Sequence, residues 1–78
     1  MLYLGIDRHV KTSHLTITDE SGQILKRKGI ATRQEELLKA LEKFEGEPIK
    51  AVLEASYSWG NMYDWLGEIA DDVILAHP

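Results

Sequence analysis

Two short, mostly apolar runs, Leu2–Ile6 and Ile49–Leu53, are each followed at once by an acid, Asp7 and Glu54. Runs of this length suit strands and are too short for a helix with a full apolar stripe. In Leu2–Ile6 apolar residues fall on both faces, which predicts a strand buried on both sides. If the two runs are adjacent parallel strands, both acids stand at strand C-termini, at one level. Neighbouring strands lie about 4.8 Å apart, so two such carboxylates repel unless a cation lies between them. The carboxyl ends of strands are also where open α/β sheets bind ligands. Hard oxygen donors select Mg²⁺ or Mn²⁺. The plain alternative is two ordinary strand-end acids, and two acids alone are too few for a two-metal site.

The remaining chain supplies the sheet and its cover. His14–Thr18 alternates, with Leu15 and Ile17 on one face. Asp19-Glu20-Ser21-Gly22 has turn chemistry, and Gln23–Ile30 returns as a partner strand. Lys26, Arg27 and Lys28 suit a charged edge that discourages unwanted pairing, with a phosphate-contacting patch as the alternative. Thr32 and Glu35 form a capping-box pattern ahead of Leu37, Leu38, Leu41 and Phe44 at helical spacing. Gly46-Glu47-Pro48 ends that helix. Ser56 or Ser58 caps a second helix, in which Trp59, Met62, Tyr63, Leu66, Ile69 and Ala70 form a core-facing stripe. Asp71-Asp72 belongs in a turn, because negative charge is unfavourable at a helix C-terminus. Val73–Ala76 is the last strand. Three strands, then helix, strand, helix, strand predict a mixed five-stranded α/β sheet, an order found in the ribonuclease-H-like fold.

Composition narrows the function. Seventy-eight residues, 44% hydrophobic and 28% charged, suit one small globular domain. Without cysteine there is neither a disulfide framework nor a zinc–thiolate site. No signal-peptide pattern or membrane-length apolar run occurs, so the expectation is a cytoplasmic protein with no membrane partner. A net charge of −4 argues against a broad basic nucleic-acid face. It leaves room for a nuclease, whose carboxylates make their own surroundings acidic.

Several motifs together resemble one family. They are Tyr3-Leu4-Gly5-Ile6-Asp7, Lys11-Thr12-Ser13-His14-Leu15, Leu53-Glu54-Ala55-Ser56, Trp59-Gly60 and Tyr63-Asp64, with Leu75-Ala76-His77-Pro78 at the end. Residues 1–78 resemble the N-terminal, RuvC-like domain of the DEDD-type insertion-sequence transposases, the bridge-RNA-guided recombinases. The resemblance implies that Asp7 and Glu54 are the first two catalytic acids and hold Mg²⁺ or Mn²⁺. It implies two further aspartates on a helix beyond Pro78, and a second domain carrying a nucleophilic serine. No serine of this chain takes that role, Ser13 included. The partners implied are DNA and a guide RNA in a bacterial or archaeal cell. The isolated segment is expected to be inactive and to self-associate as a homo-oligomer, a dimer or a swapped arrangement, through residues that would face the missing helix. Arg8 departs from the small or aliphatic residue expected after Asp7 and is read as facing solvent.

Lys11, Thr12 and Tyr57 are candidate nucleic-acid contacts, Tyr57 by stacking on a base or sugar. His9, His14 and His77 are read as surface or packing residues, since Mg²⁺ prefers oxygen. Two other classes compete. One is a non-catalytic folded fragment or interaction module. The other is a fragment of an actin-like or sugar-kinase ATPase, whose glycine-rich phosphate turn is not matched by Arg8–Ser13.

Overall fold

The computed structural model describes residues 1–54 and 60–76. Its elements are β1 (Leu2–Arg8), β2 (Thr12–Thr18), β3 (Ile24–Ala31), α1 (Gln34–Ala40), a 3-10 turn (Glu42–Phe44), β4 (Ile49–Glu54), α2 (Gly60–Ile69) and β5 (Asp72–Ala76). They form one sheet in the order β3-β2-β1-β4-β5. The β1–β2 and β2–β3 pairs are antiparallel, while β1–β4 and β4–β5 are parallel. The expected mixed five-stranded sheet is therefore present.

Local chemistry fixes the connections. At the β2–β3 turn the Asp19 carboxylate accepts bonds from the Ser21 hydroxyl (2.7 Å), the Ser21 N–H (2.9 Å) and the Gln23 N–H (3.0 Å). Gly22 takes φ +87°, which a side chain would resist. Asp71 joins α2 to β5. Its carboxylate accepts the Ile49 N–H and its own N–H donates to the Ile49 carbonyl, each at 2.8 Å. That pairing explains an acid just past a helix end, where the dipole alone would disfavour it.

Both helices pack on one face of the sheet. Leu37, Ala40, Leu41, Phe44, Met62 and Leu66 join Leu2, Leu4, Ile6, Leu15, Ile17, Ala51 and Leu53 in the core. Each such leucine or isoleucine contributes roughly 1.5–3 kcal/mol by leaving water. Among the described residues no element covers the other face.

Burial of β1 departs from the two-sided pattern expected from its sequence. β1 is buried on one side only: Leu2, Leu4 and Ile6 face the core, whereas Tyr3 is 41% exposed. Val52 (37%) and Ile74 (40%) lie exposed on β4 and β5 of the same open face. Leu38 (43%) and Tyr63 point outward because their helices bury narrower stripes than the sequence pattern suggests. Thr32 does not cap α1. Its N-cap is Arg33, with no side-chain capping bond, while the Thr32 hydroxyl donates to the His9 carbonyl at 2.7 Å. A tertiary acceptor has displaced the local one. The proposed Ser56 or Ser58 cap and Trp59 lie outside the described residues.

β3 is an edge strand, as its charges suggest. Lys26, however, turns toward the helices and donates to the Ala40 carbonyl at 2.8 Å, where a cation suits the C-terminus of α1. That use removes it from a phosphate-contacting patch.

Candidate metal centre

Parallel pairing places Asp7 directly opposite Glu54, at the C-terminal ends of β1 and β4. Both side chains project from the open face, because Ile6 and Leu53 occupy the buried positions before them. Their strands are direct neighbours, so the carboxylates stand about one strand spacing apart. This is an acidic pair on an open surface, and oxygen donors of that kind suit a hard divalent cation.

On the other side of Asp7, His14 is its antiparallel partner, giving the row His14–Asp7–Glu54 across three strands. Opposite His14 on β3 is Gly29, and a Cβ built there would meet two imidazole atoms at 3.4 Å. Glycine thus lets the His14 ring lie close over β3. His9, in the β1–β2 turn, places Nε2 3.3 Å from an Asp7 oxygen and presents its ring edge-on to His14, centroids 6.4 Å apart. Among the described residues no three His, Asp or Glu side chains are placed to hold one ion together. The centre as it stands is two acids with an imidazole beside one of them.

The turn carrying His9 is anchored from beneath. Ser13 is fully buried, and its hydroxyl lies 2.7 Å from that of Thr32. Thr32 gives its one proton to the His9 carbonyl, so Ser13 must be the donor to Thr32. The His9 N–H bonds the Thr12 carbonyl (3.2 Å), and the Thr32 N–H bonds that of Lys11 (3.0 Å). Lys11 and Thr12 are exposed at the same end of the sheet as Asp7. Tyr57 and His77 lie outside the described residues. Ser13, sealed in the core, has a structural use.

Arg8 departs from expectation. It continues the Leu2–Leu4–Ile6 side of β1 and pairs in register with buried Ser13, so it is half-buried on the helix-bearing side. Asp7 is on the opposite side. The period-two alternation of β1 already carried this signal.

A cavity of about 640 Å³ opens between α1, the 3-10 turn and α2, lined in part by Leu38, Phe44, Glu45, Glu68 and Ile69. Neither Asp7 nor Glu54 lines it. The acids face open surface.

No protein-family model matches the chain. No curated protein matches it. Solved structures do. RuvC of T. thermophilus, in complex with a Holliday junction substrate, is similar over 100% of this chain with TM-score 0.74 and 14% identity. LC11-RNase H1 in complex with an RNA/DNA hybrid is similar with TM-score 0.52 and 14% identity, covering 100% of this chain and 85% of that one. The Ppx/GppA phosphatase of Aquifex aeolicus has TM-score 0.51 and 21% identity, over 100% of this chain and 36% of that one. This chain spans 65% of the RuvC chain. The fold is ribonuclease-H-like, a mixed five-stranded α/β sheet with helices.

Proposed function

We propose that this chain is the N-terminal part of a metal-dependent nucleic-acid-cleaving domain, and specifically of a DEDD-type insertion-sequence transposase that cuts and rejoins DNA. The observation that carries the reading is the register of Asp7 with Glu54 on adjacent parallel strands of a RuvC-like sheet. Bound Mg²⁺ or Mn²⁺ supplies activation of the attacking oxygen and stabilisation of the leaving one. Asp7 and Glu54 contribute the oxygen donors, and the sheet fixes their separation. Their open position suits a polymeric strand better than a small molecule, which is usually held in a concave, largely apolar pocket. Lys11 and Thr12, exposed at the same end, are the proposed contacts to that strand, with Tyr57 as a third.

The transposase assignment and the guide RNA rest on the sequence resemblance, the cytoplasmic location on the signal and membrane patterns read from the sequence, and self-association on residues that would face the missing helix. The apolar Val52 and Ile74 on the open face support self-association. The RuvC and RNase H1 likenesses, both to proteins captured on nucleic acid, support the broader nuclease reading. The ATPase reading fares worse. Its phosphate cradle needs glycine in the β1–β2 turn, and residues 8–12 contain none.

The test is Mn²⁺ titration of the chain followed by NMR. Paramagnetic broadening should centre on residues 7, 14 and 54 and spare the groove at Leu38 and Phe44. Asp7→Asn and Glu54→Gln should each remove it. Uniform broadening, or a centre that survives both substitutions, defeats the reading.

A further inference from the structure

One buried side-chain nitrogen among the described residues has no hydrogen-bond partner: Nε of Arg8. Leaving a buried donor unpaired costs about 1–3 kcal/mol, and more when the group is charged. No carboxylate of the described residues forms an ion pair with this guanidinium. If covering the end of the core were its only task, methionine or leucine would do so without that cost. Arg8 is the last residue of β1, at the same end of the sheet as Asp7 and Glu54, and strand alternation puts its side chain on the opposite side of the strand. The β1–β2 turn that follows adds the exposed Lys11.

We infer that Arg8 is an anion-binding residue that receives a phosphodiester of a nucleic-acid strand crossing the carboxyl ends of β1 and β4. The inference rests on the nucleic-acid reading above and adds to it a phosphate site separate from the carboxylates. A guanidinium presents parallel N–H donors whose spacing matches two phosphate oxygens. Rotation about the terminal side-chain torsions brings Nε–H and one Nη–H onto those oxygens. The donor left unpaired in the free protein is satisfied in the complex, so ligand binding recovers the cost.

The experiment compares wild type with Arg8→Met, which keeps the unbranched stem, and Arg8→Lys, which keeps the charge without the planar donor pair. Thermal melting is measured beside anisotropy titrations with fluorescein-labelled single-stranded DNA and RNA of one sequence, at low salt. Arg8→Met should melt at or above the wild-type temperature and bind the oligonucleotides about tenfold more weakly, a difference of about 1.4 kcal/mol. Arg8→Lys should fall between. Equal loss on DNA and RNA identifies the shared phosphodiester as the ligand, and loss on one alone assigns the site to that strand type.

Unchanged affinity in Arg8→Met, or no oligonucleotide binding by wild type, overturns the inference. If melting temperature and affinity fall together, the Arg8 Nε–H resonance of wild type decides. Movement on adding oligonucleotide supports the site, and a stationary signal overturns it. Mn²⁺ titration separates this claim from the metal reading. Arg8→Met should keep the broadening centred on residues 7 and 54, and loss of that centre in wild type would defeat the metal reading while leaving the Arg8 result standing.

Discussion

The hydroxyl of Thr32 joins two parts of the chain that the sequence keeps far apart. It donates to the His9 carbonyl and accepts from the buried Ser13 hydroxyl. Thr32→Val keeps the shape and removes both bonds, leaving a buried donor and a turn carbonyl without their partner. The expected cost is about 1–3 kcal/mol, read as a drop of several degrees or more in Tm, since a domain this size moves roughly 4–8 °C per kcal/mol. Adding Ser13→Ala should recover part of the loss, because the orphaned donor is then gone. If Thr32→Val melts with wild type, the hydroxyl chain does not anchor the turn that carries His9. In sequence, Thr32 reads as a helix cap. Nothing in its neighbours reveals that the turn after β1 lies within its reach.

At the scale of elements, the β2–β3 turn shows how one side chain sets a strand connection. The Ser21 hydroxyl, and after it the Gln23 N–H, hold the Asp19 carboxyl below its ordinary value of 3.8. A carboxyl lowered in the folded state adds stability that is present above its unfolded value and is lost as pH falls through the folded one. Wild type should therefore exceed Asp19→Ala in denaturant melts at about pH 6, with the gap narrowing toward about pH 3. A gap that stays constant between those conditions would mean that charge plays no part in the turn. This connection was readable in advance, since Asp, Ser and Gly within four residues specify it locally. The stripe on α2 was only partly readable. Met62 and Leu66 are buried, but Tyr63 is exposed, because helical spacing gives the period of a stripe without its width.

For the whole molecule, the distribution of cover over the sheet matters most. Both helices share one face, and the acids stand on the other. A cation held by Asp7 and Glu54 would link two neighbouring strands and so would stabilise the folded chain. At ten times its dissociation constant, Mn²⁺ should add about 1.4 kcal/mol, a rise in Tm on the order of 5–10 °C. EDTA should reverse the rise, and Asp7→Asn should melt at one temperature with or without the ion. An equal rise in Asp7→Asn would place the ion elsewhere.

The acid pair was legible as two strand endings, and the order of elements was legible from runs, turns and periodicities along the chain. Those are local properties, set by spacing and by turn residues that act on their own backbone. What tertiary structure alone decided is which strands became neighbours, and on which face each side chain emerged. The β1–β4 register turned Asp7 and Glu54, 47 positions apart in sequence, into direct partners. The one-sided helix cover left Tyr3 exposed where its run suggested burial, and it half-buried the Arg8 side chain that strand alternation sets opposite Asp7. Burial is a property of what packs against a strand, and a strand's own sequence does not specify its cover.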